Sequence, residues 1–203
     1  DKIFIITAGI GTITKDLNFH YNRIEPGDVI IINGNIAEHG LAILLSRGAY
    51  GFRYDIQSDC NSLKSLLKNI FSNDEINSHI KFLRDPTRGG IAAVLNEIVE
   101  FRKDLCLEIY EEKVPISTEA TYVCELLGID PFTVANEGKM IMIASKKVSD
   151  KIIEIFKKHP LGKEAMIIGE VSDTYKGKVV LHTKYGGKKV LEMPIAEELP
   201  RIC

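Results

Sequence analysis

Short apolar runs alternate with amphipathic segments along most of the chain, and the period of each run predicts an element. Residues 3–6 read as a buried strand ending in the glycine turn of Gly9 and Gly11, and residues 12–23 are polar and unperiodic, the pattern of a linker. Glu25-Pro26-Gly27-Asp28 is a turn, with proline setting φ at its second position and glycine supplying positive φ at its third. It feeds an apolar strand at 29–32. Beyond that point the spacing predicts helices at 37–46, 62–71, 90–101, 119–127 and 150–158, and strands at 80–83, 105–110, 140–144, 165–171, 178–183 and 188–191. The clearest helix is 90–101, where Ile91, Val94, Leu95, Ile98 and Val99 recur on one face while Asn96, Glu97 and Glu100 lie elsewhere on the wheel. Tyr175-Lys176-Gly177 and Tyr185-Gly186-Gly187 separate the last three strands, which are therefore expected to form hairpins.

This order of elements argues for an α+β domain, a mixed β-sheet covered by helices, rather than a strict parallel α/β array. Three parts are expected: residues 1–24, the last strand of a missing domain followed by a linker; residues 25–193, the α+β domain; and residues 194–203, a mobile tail. The missing domain is expected because the chain opens on Asp1 and enters a strand with no turn or cap before it.

Composition narrows the function classes. The 203 residues are 45% hydrophobic and 27% charged with a net charge of -2, ordinary values that offer no field for nucleic acid or acidic lipid. No apolar run approaches the roughly 20 residues of a membrane span, no basic start with an apolar stretch marks a secretory signal, and none is expected. Cys60, Cys106, Cys124 and Cys203 lie far apart with no C-x-x-C pair, so no zinc site or redox dithiol is written locally, no metal site is predicted, and a reduced cytoplasmic protein is expected. The first three cysteines sit in or beside apolar segments and read as buried small hydrophobes.

Four stretches carry candidate chemistry. Arg84-Asp85-Pro86-Thr87-Arg88-Gly89-Gly90 joins a strand to the clearest helix: its glycines admit a ligand to the backbone, the helix start presents free N–H groups, and Arg84 and Arg88 offer bidentate contacts to phosphate. The alternative is a structural turn in which Thr87 caps the helix and the arginines pair with carboxylates. Ala135-Asn136-Glu137-Gly138-Lys139 precedes a buried strand, with Gly138 expected to take an unusual backbone angle; Glu137 is able to serve as a general base, and the alternative is a turn whose charged residues face water. His39, early in a helix, is a candidate ligand contact or a structural partner, and Asp59 reads as the cap of the helix that follows it. The tail Pro200-Arg201-Ile202-Cys203 places a thiol on the last residue of a proline-stiffened segment, where it can reach another pocket as a nucleophile.

Taken in order, the motifs G-N-I-A-E-H-G-L-A-I-L, S-D-C, R-D-P-T-R-G-G, C-E-L-L-G-I-D-P, V-A-N-E-G-K and the ending L-P-R-I-C make the chain resemble the C-terminal portion of the HypE family of hydrogenase expression/formation proteins. That family falls within the aminoimidazole ribonucleotide synthetase-like superfamily, which implies an N-terminal ATP-binding, dimer-forming domain before the α+β domain seen here. The resemblance implies that Cys203 receives a carbamoyl group from a partner carbamoyltransferase. The S-carboxamide is then dehydrated with ATP and Mg to a thiocyanate, whose cyanide passes to iron held by a scaffold and chaperone pair for nickel-iron hydrogenase. Glu137 would be the base, Arg84, Asp85, Thr87, Arg88, Gly89 and Gly90 would border the phosphates or the tail channel, and His39 and Asn136 would stand near the same pocket. The full-length protein is expected to be a homodimer, and this chain alone to lack ATPase activity because half of the nucleotide site is missing. Two rival readings are a docking module for maturation partners and another ATP-dependent synthetase of the same superfamily, acting on a ribonucleotide amide or on selenide.

Overall fold

Asp28–Ile32 forms β1, buried along its whole length because it lies inside a seven-stranded sheet with helices against both faces. A computed structural model describes residue 6 and residues 8–12, 17–48 and 54–194. After β1 come α1 (Glu38–Ser46), α2 (Lys64–Phe71), α3 (Asp74–Asn77), β2 (Ile80–Arg84), α4 (Gly90–Phe101), β3 (Cys106–Tyr110) and α5 (Thr118–Leu127). The described chain finishes with β4 (Ile141–Ser145), α6 (Ser149–Lys157), β5 (Met166–Ser172), β6 (Lys178–His182) and β7 (Lys188–Val190). The sheet order is β2-β4-β1-β5-β3-β6-β7, antiparallel except where β3 pairs with β6 in parallel. The mixed sheet and its covering helices are the α+β architecture the pattern predicts.

Alternation along the central strands divides the core between the two faces. Ile30 and Ile32 of β1 and Ile141 and Ile143 of β4 pack with Ile91, Leu95 and Ile98 of α4, Leu41 of α1 and Val123 of α5. Val29, Ile31, Met142 and Ala144 pack on the other face with Leu66 and Ile70 of α2 and Ile152 and Phe156 of α6. Residues of β3 and β6, and Leu191 just beyond β7, contribute only to the first of these clusters.

The structure departs from the sequence expectations at identifiable places. β5 and β6 do not form a hairpin: β5 has β1 on one edge and β3 on the other, so β6 adds beyond β3, and only β6 and β7 pair as consecutive antiparallel strands. The end of the expected linker is held by specific bonds. Arg23 donates to Ile80 O at 2.9 Å and Ser78 O at 2.7 Å, Arg102 donates to Tyr21 O and Ile24 O, and Tyr21 stacks on Phe101. Cys106 and Cys124 are buried as expected, but Cys60 is exposed because it sits on a loop outside both cores. Burial pushes the Cys124 thiol up to about 11, so it stays protonated at neutral pH. The strand expected at residues 3–6 lies outside the described residues apart from Ile6.

Candidate functional site at the ends of the central strands

Strand direction brings the candidate motifs together. β4 runs antiparallel between β1 and β2, so the carboxyl ends of β1 and β2 and the start of β4 share one edge of the sheet. The loops at 33–37, 85–89 and 134–140 therefore meet there, although they are distant in sequence.

Three short polar side chains tie these loops to one another. Asn136 is fully buried: its amide nitrogen donates to Pro86 O at 3.1 Å and Val134 O at 2.9 Å, and its oxygen accepts from Ala37 N at 2.9 Å. Asn33, also fully buried, donates to Gly138 O and Leu161 O and accepts from Met140 N at 2.8 Å. Asp59 has a side chain only 1% exposed and accepts from Glu137 N at 3.0 Å, Gly138 N at 3.3 Å and Lys139 Nζ at 3.0 Å. These bonds pair buried polar groups of the loops with the three side chains. Ala37 takes a left-handed conformation at φ 73°, the only positive φ of a non-glycine among the described residues, and this turn directs Glu38 and His39 into the first turn of α1.

Asp59 does not cap α2 as its sequence position suggests; α2 begins at Lys64 with Leu63 at its cap and no side-chain cap bond. Gly138 does not need an unusual backbone angle either. A methyl group there would lie 1.9 Å from Asp59 O, so the position requires glycine because the 58–61 segment lies directly against it.

Glu137 is half-buried, and its backbone is pinned by Asp59 while its carboxylate has no protein partner among the hydrogen bonds and ion pairs of the described residues. His39 contacts Ser58 Oγ through Nδ1 at 2.9 Å, joining α1 to the same 58–60 segment. Lys139 lies between Asp59 and Glu38, whose Oε2 is 3.5 Å from its ammonium.

The R-D-P-T-R-G-G loop divides. Arg84 bonds to Glu97 of α4 and donates to Tyr21 Oη at 3.3 Å, the structural pairing weighed as its alternative. Asp85 and Arg88 are exposed. Thr87 does not cap α4; Gly89 does, at φ 70°, with no side-chain bond to the helix and no acidic residue in the first turn to neutralise the positive end of the helix dipole. Gly90, at φ 60°, has Phe132 O 2.5 Å from where a methyl group would sit, so any other residue would push the 131–134 turn away. Pro194 closes on this same point: a methyl group at Gly89 would lie 3.5 Å from Pro194 Cγ. Asn96 of α4 holds Leu191 O at 3.0 Å, and the chain from Leu191 to Pro194 thus runs toward the start of the helix. Pro200, Arg201, Ile202 and Cys203, and with them the expectation that the tail is held by its own domain or a neighbour, lie outside the described residues.

A helix-backed, mixed sheet carrying a glycine-capped helix start and a braced acidic loop at one edge belongs to a known class. Residues 25–182 match the family described as AIR synthase related protein, C-terminal domain, and the chain belongs to that family. Within it, the chain is 42% identical over its whole length to a provisionally named hydrogenase expression/formation protein of Methanocaldococcus jannaschii, covering 59% of that protein. It is 40% identical to carbamoyl dehydratase HypE of Rhizobium leguminosarum bv. viciae, again over 100% of this chain and 57% of the relative. The crystal structure of Escherichia coli HypE superposes with a TM-score of 0.86 at 36% identity, over 95% of this chain and 58% of that one. A HypE structure in complex with ATP superposes at 0.81 with 36% identity, over 91% and 55%, and HypE in a HypE–HypF complex at 0.80 with 38% identity, over 87% and 56%. The chain thus spans somewhat over half the length of the relatives it matches, and its strong likeness is to the C-terminal portion of HypE.

Of the candidates read from the sequence, Glu137 and Asn136 lie at this edge and Gly89 and Gly90 at the start of α4, whereas Asn33, Asp59 and Lys139, which brace the loops here, were not among them. A buried carboxylate on an irregular loop leaves no periodic trace; the only available signal was the S-D-C triplet among the family motifs.

Proposed function

We propose that the protein of this chain works in nickel-iron hydrogenase maturation as an ATP-dependent carbamoyl dehydratase acting on its own C-terminal cysteine. The observation that carries this reading is the Glu137 carboxylate, held on a doubly anchored backbone yet without a protein partner among the described residues, in a chain similar along all 203 residues to carbamoyl dehydratases. The thiolate of Cys203 takes a carbamoyl group from a HypF-like carbamoyltransferase. Phosphoryl transfer from ATP, the co-substrate, turns the carboxamide oxygen into a leaving group. Glu137 removes a proton from nitrogen as phosphate departs and the carbon–nitrogen bond becomes a nitrile; electron-rich iron on a scaffold and chaperone pair then supplies the electron pair of the new iron–carbon bond as the sulfur–carbon bond breaks, leaving the Cys203 thiolate.

Two features of the chain support the scheme. The start of α4, capped by a glycine with no side-chain bond and with no acidic residue in its first turn, together with Thr87, Arg88, Gly89 and Gly90 suits an anionic group, phosphate or tail carboxylate. Pro194 rests at that point, and nine further residues span at most about 30 Å, enough for Cys203 to return to Glu137 or to enter a partner. Among the described residues no group of three or more His, Cys, Asp or Glu is placed to hold a metal, so they supply no site for the magnesium that would accompany ATP, and no step is assigned to it.

The test is the intact mass of the natural full-length protein after incubation with carbamoyl phosphate, the carbamoyltransferase and ATP. The parent should gain one carbamoyl group and then lose one water; Cys203→Ala should show neither change, and Glu137→Gln should gain the group and lose the water far more slowly than the parent. An adduct independent of Cys203 would overturn the carrier assignment, and normal hydrogenase maturation by Cys203→Ala would leave the docking role in its place.

A further inference from the structure

We infer that Asp59 is a positioning residue for Glu137, with Lys139 as its counter-charge; the inference rests on the reading of Glu137 as the base. Asp59 grips three consecutive residues through one carboxylate: Oδ1 accepts Glu137 N at 3.0 Å, Oδ2 accepts Gly138 N at 3.3 Å, and Lys139 Nζ lies 3.0 Å from Oδ2. Bonds at the N–H groups on both sides of the Glu137 Cα–C unit fix the direction in which its side chain leaves the backbone. The grip is reinforced from behind. Asn33 holds Gly138 O at 3.2 Å, and the missing side chain at Gly138 lets the Asp59 backbone close over the loop.

The charges are also arranged for this role. A lone buried carboxylate next to the base would oppose its ionisation, but the Lys139 ammonium, 10% exposed, faces Asp59 and also lies 3.5 Å from Glu38 Oε2. Asn35 donates to Glu38 Oε1 at 3.3 Å, and Ser58 Oγ, beside Asp59, accepts Cys60 N and contacts His39. The 58–60 segment is therefore clamped between the first turn of α1 and the loop that carries Glu137. A carboxylate serving only to close a loop would need no such fixed registry on both sides. This one spends all its described bonds on the base's own residue and the next two.

The test is the single-turnover rate at which the carbamoylated protein, with ATP, loses water from its Cys203 adduct, measured on the full-length protein. Asp59→Asn keeps the shape and one acceptor oxygen but removes the charge and one N–H acceptor. It should slow dehydration by about 100-fold, the scale of a misplacement near 1 Å, with KM for ATP unchanged. In a Glu137→Gln background the same substitution should cause no further loss, because Asp59 acts through Glu137. Asp59→Glu, which keeps the charge on a longer arm, is the second variant should Asp59→Asn not fold, and it should show the same dependence on Glu137. An Asp59 variant that folds and dehydrates at the parental rate overturns the inference, as does an equal loss in the Glu137→Gln background. If Glu137→Gln alone dehydrates normally, the base assignment fails first, and that outcome is distinct from a normal Asp59→Asn beside an inactive Glu137→Gln.

Discussion

Two polar networks occupy the two halves of the sheet, and they are built differently. At the edge of the β2-β4-β1 half, Asn33, Asp59 and Asn136 bond mainly to backbone groups of residues distant in sequence. On the β5-β3-β6 half the partners are side chains on adjacent strands. Glu108 of β3 accepts from Ser172 Oγ at 2.6 Å and meets His182 Nε2 at 2.7 Å, while Tyr110 donates to Glu170 at 2.6 Å. That hydrogen bond to Glu170, with burial, pushes Tyr110 up to about 12. Side chains that hold backbone decide where loops go. Side chains that hold one another leave the strands where the ladder already puts them, and what they contribute varies with pH.

The burial of the strands explains why the networks differ. β1 and β4 are covered on both faces, so they admit no polar side chain in mid-strand and their polar contacts collect at the strand ends. β3 and β6 add nothing to the second core cluster, and their side chains on that face can be polar if they pair.

The sharpest way to break the contrast is Asn136→Ala. It leaves Val134 O and Ala37 N without a buried partner and Pro86 O with only the backbone bond from residue 136, and at about 1 to 3 kcal/mol for each of the two groups stranded the loss should reach about 4 kcal/mol in urea unfolding. A loss below about 1 kcal/mol would mean that the loops are held by something else.

Acid titration sharpens the contrast with effects of opposite sign. Burial raises the Glu108 carboxyl, but hydrogen bonds from Ser172 and His182, with the charges of His182 and Lys188, more than offset it and hold the group below its ordinary 4.5. Its folded value being depressed, Glu108 contributes stability that is present above 4.5 and lost as pH falls through the folded value. Asp28, at the start of β1, is raised above its ordinary 3.8 because burial outweighs the hydrogen bond from Glu25 N. Its contribution is present below 3.8 and lost as pH rises through the raised value. Relative to the parent, Glu108→Gln should therefore be least stable near neutrality and approach it in acid, whereas Asp28→Asn should gain on the parent as pH rises. Denaturant midpoints across pH 3 to 7 check both signs; parallel curves for the two variants would remove the distinction.

The smallest expected effect is that of Ser172→Ala. It removes one of the acceptor bonds of Glu108 and should cost about 1 kcal/mol while leaving the dehydration rate unchanged. A changed rate would show that the two networks communicate across the sheet.

Most of the element order was legible because periodicity survives in the chain: the helix expected at 90–101 has those bounds, and the other main helices and strands fall within two residues of their expected ends. Glu25-Pro26-Gly27-Asp28 turns as read, with Gly27 at φ 91° and Asp28 N bonded to Glu25 O at 3.1 Å. α3 escaped notice because four residues carry no period. Arg84 shows the limit at the site: its sequence is equally that of an anion ligand and of a structural ion pair, and only the nearness of Glu97 on α4 chooses between them.

By itself the sequence determined the elements, the family motifs and the presence of a carboxylate on a glycine loop, because these depend on residue type and near neighbours along the chain. Tertiary structure alone decided that β3 would part β5 from β6, that the 33–37, 85–89 and 134–140 loops would share one edge, and that Asp59 would hold Glu137 across a sequence separation of 78. Strand pairing and buried hydrogen bonds join groups by proximity in space, and a pattern of residue types carries no distance between segments.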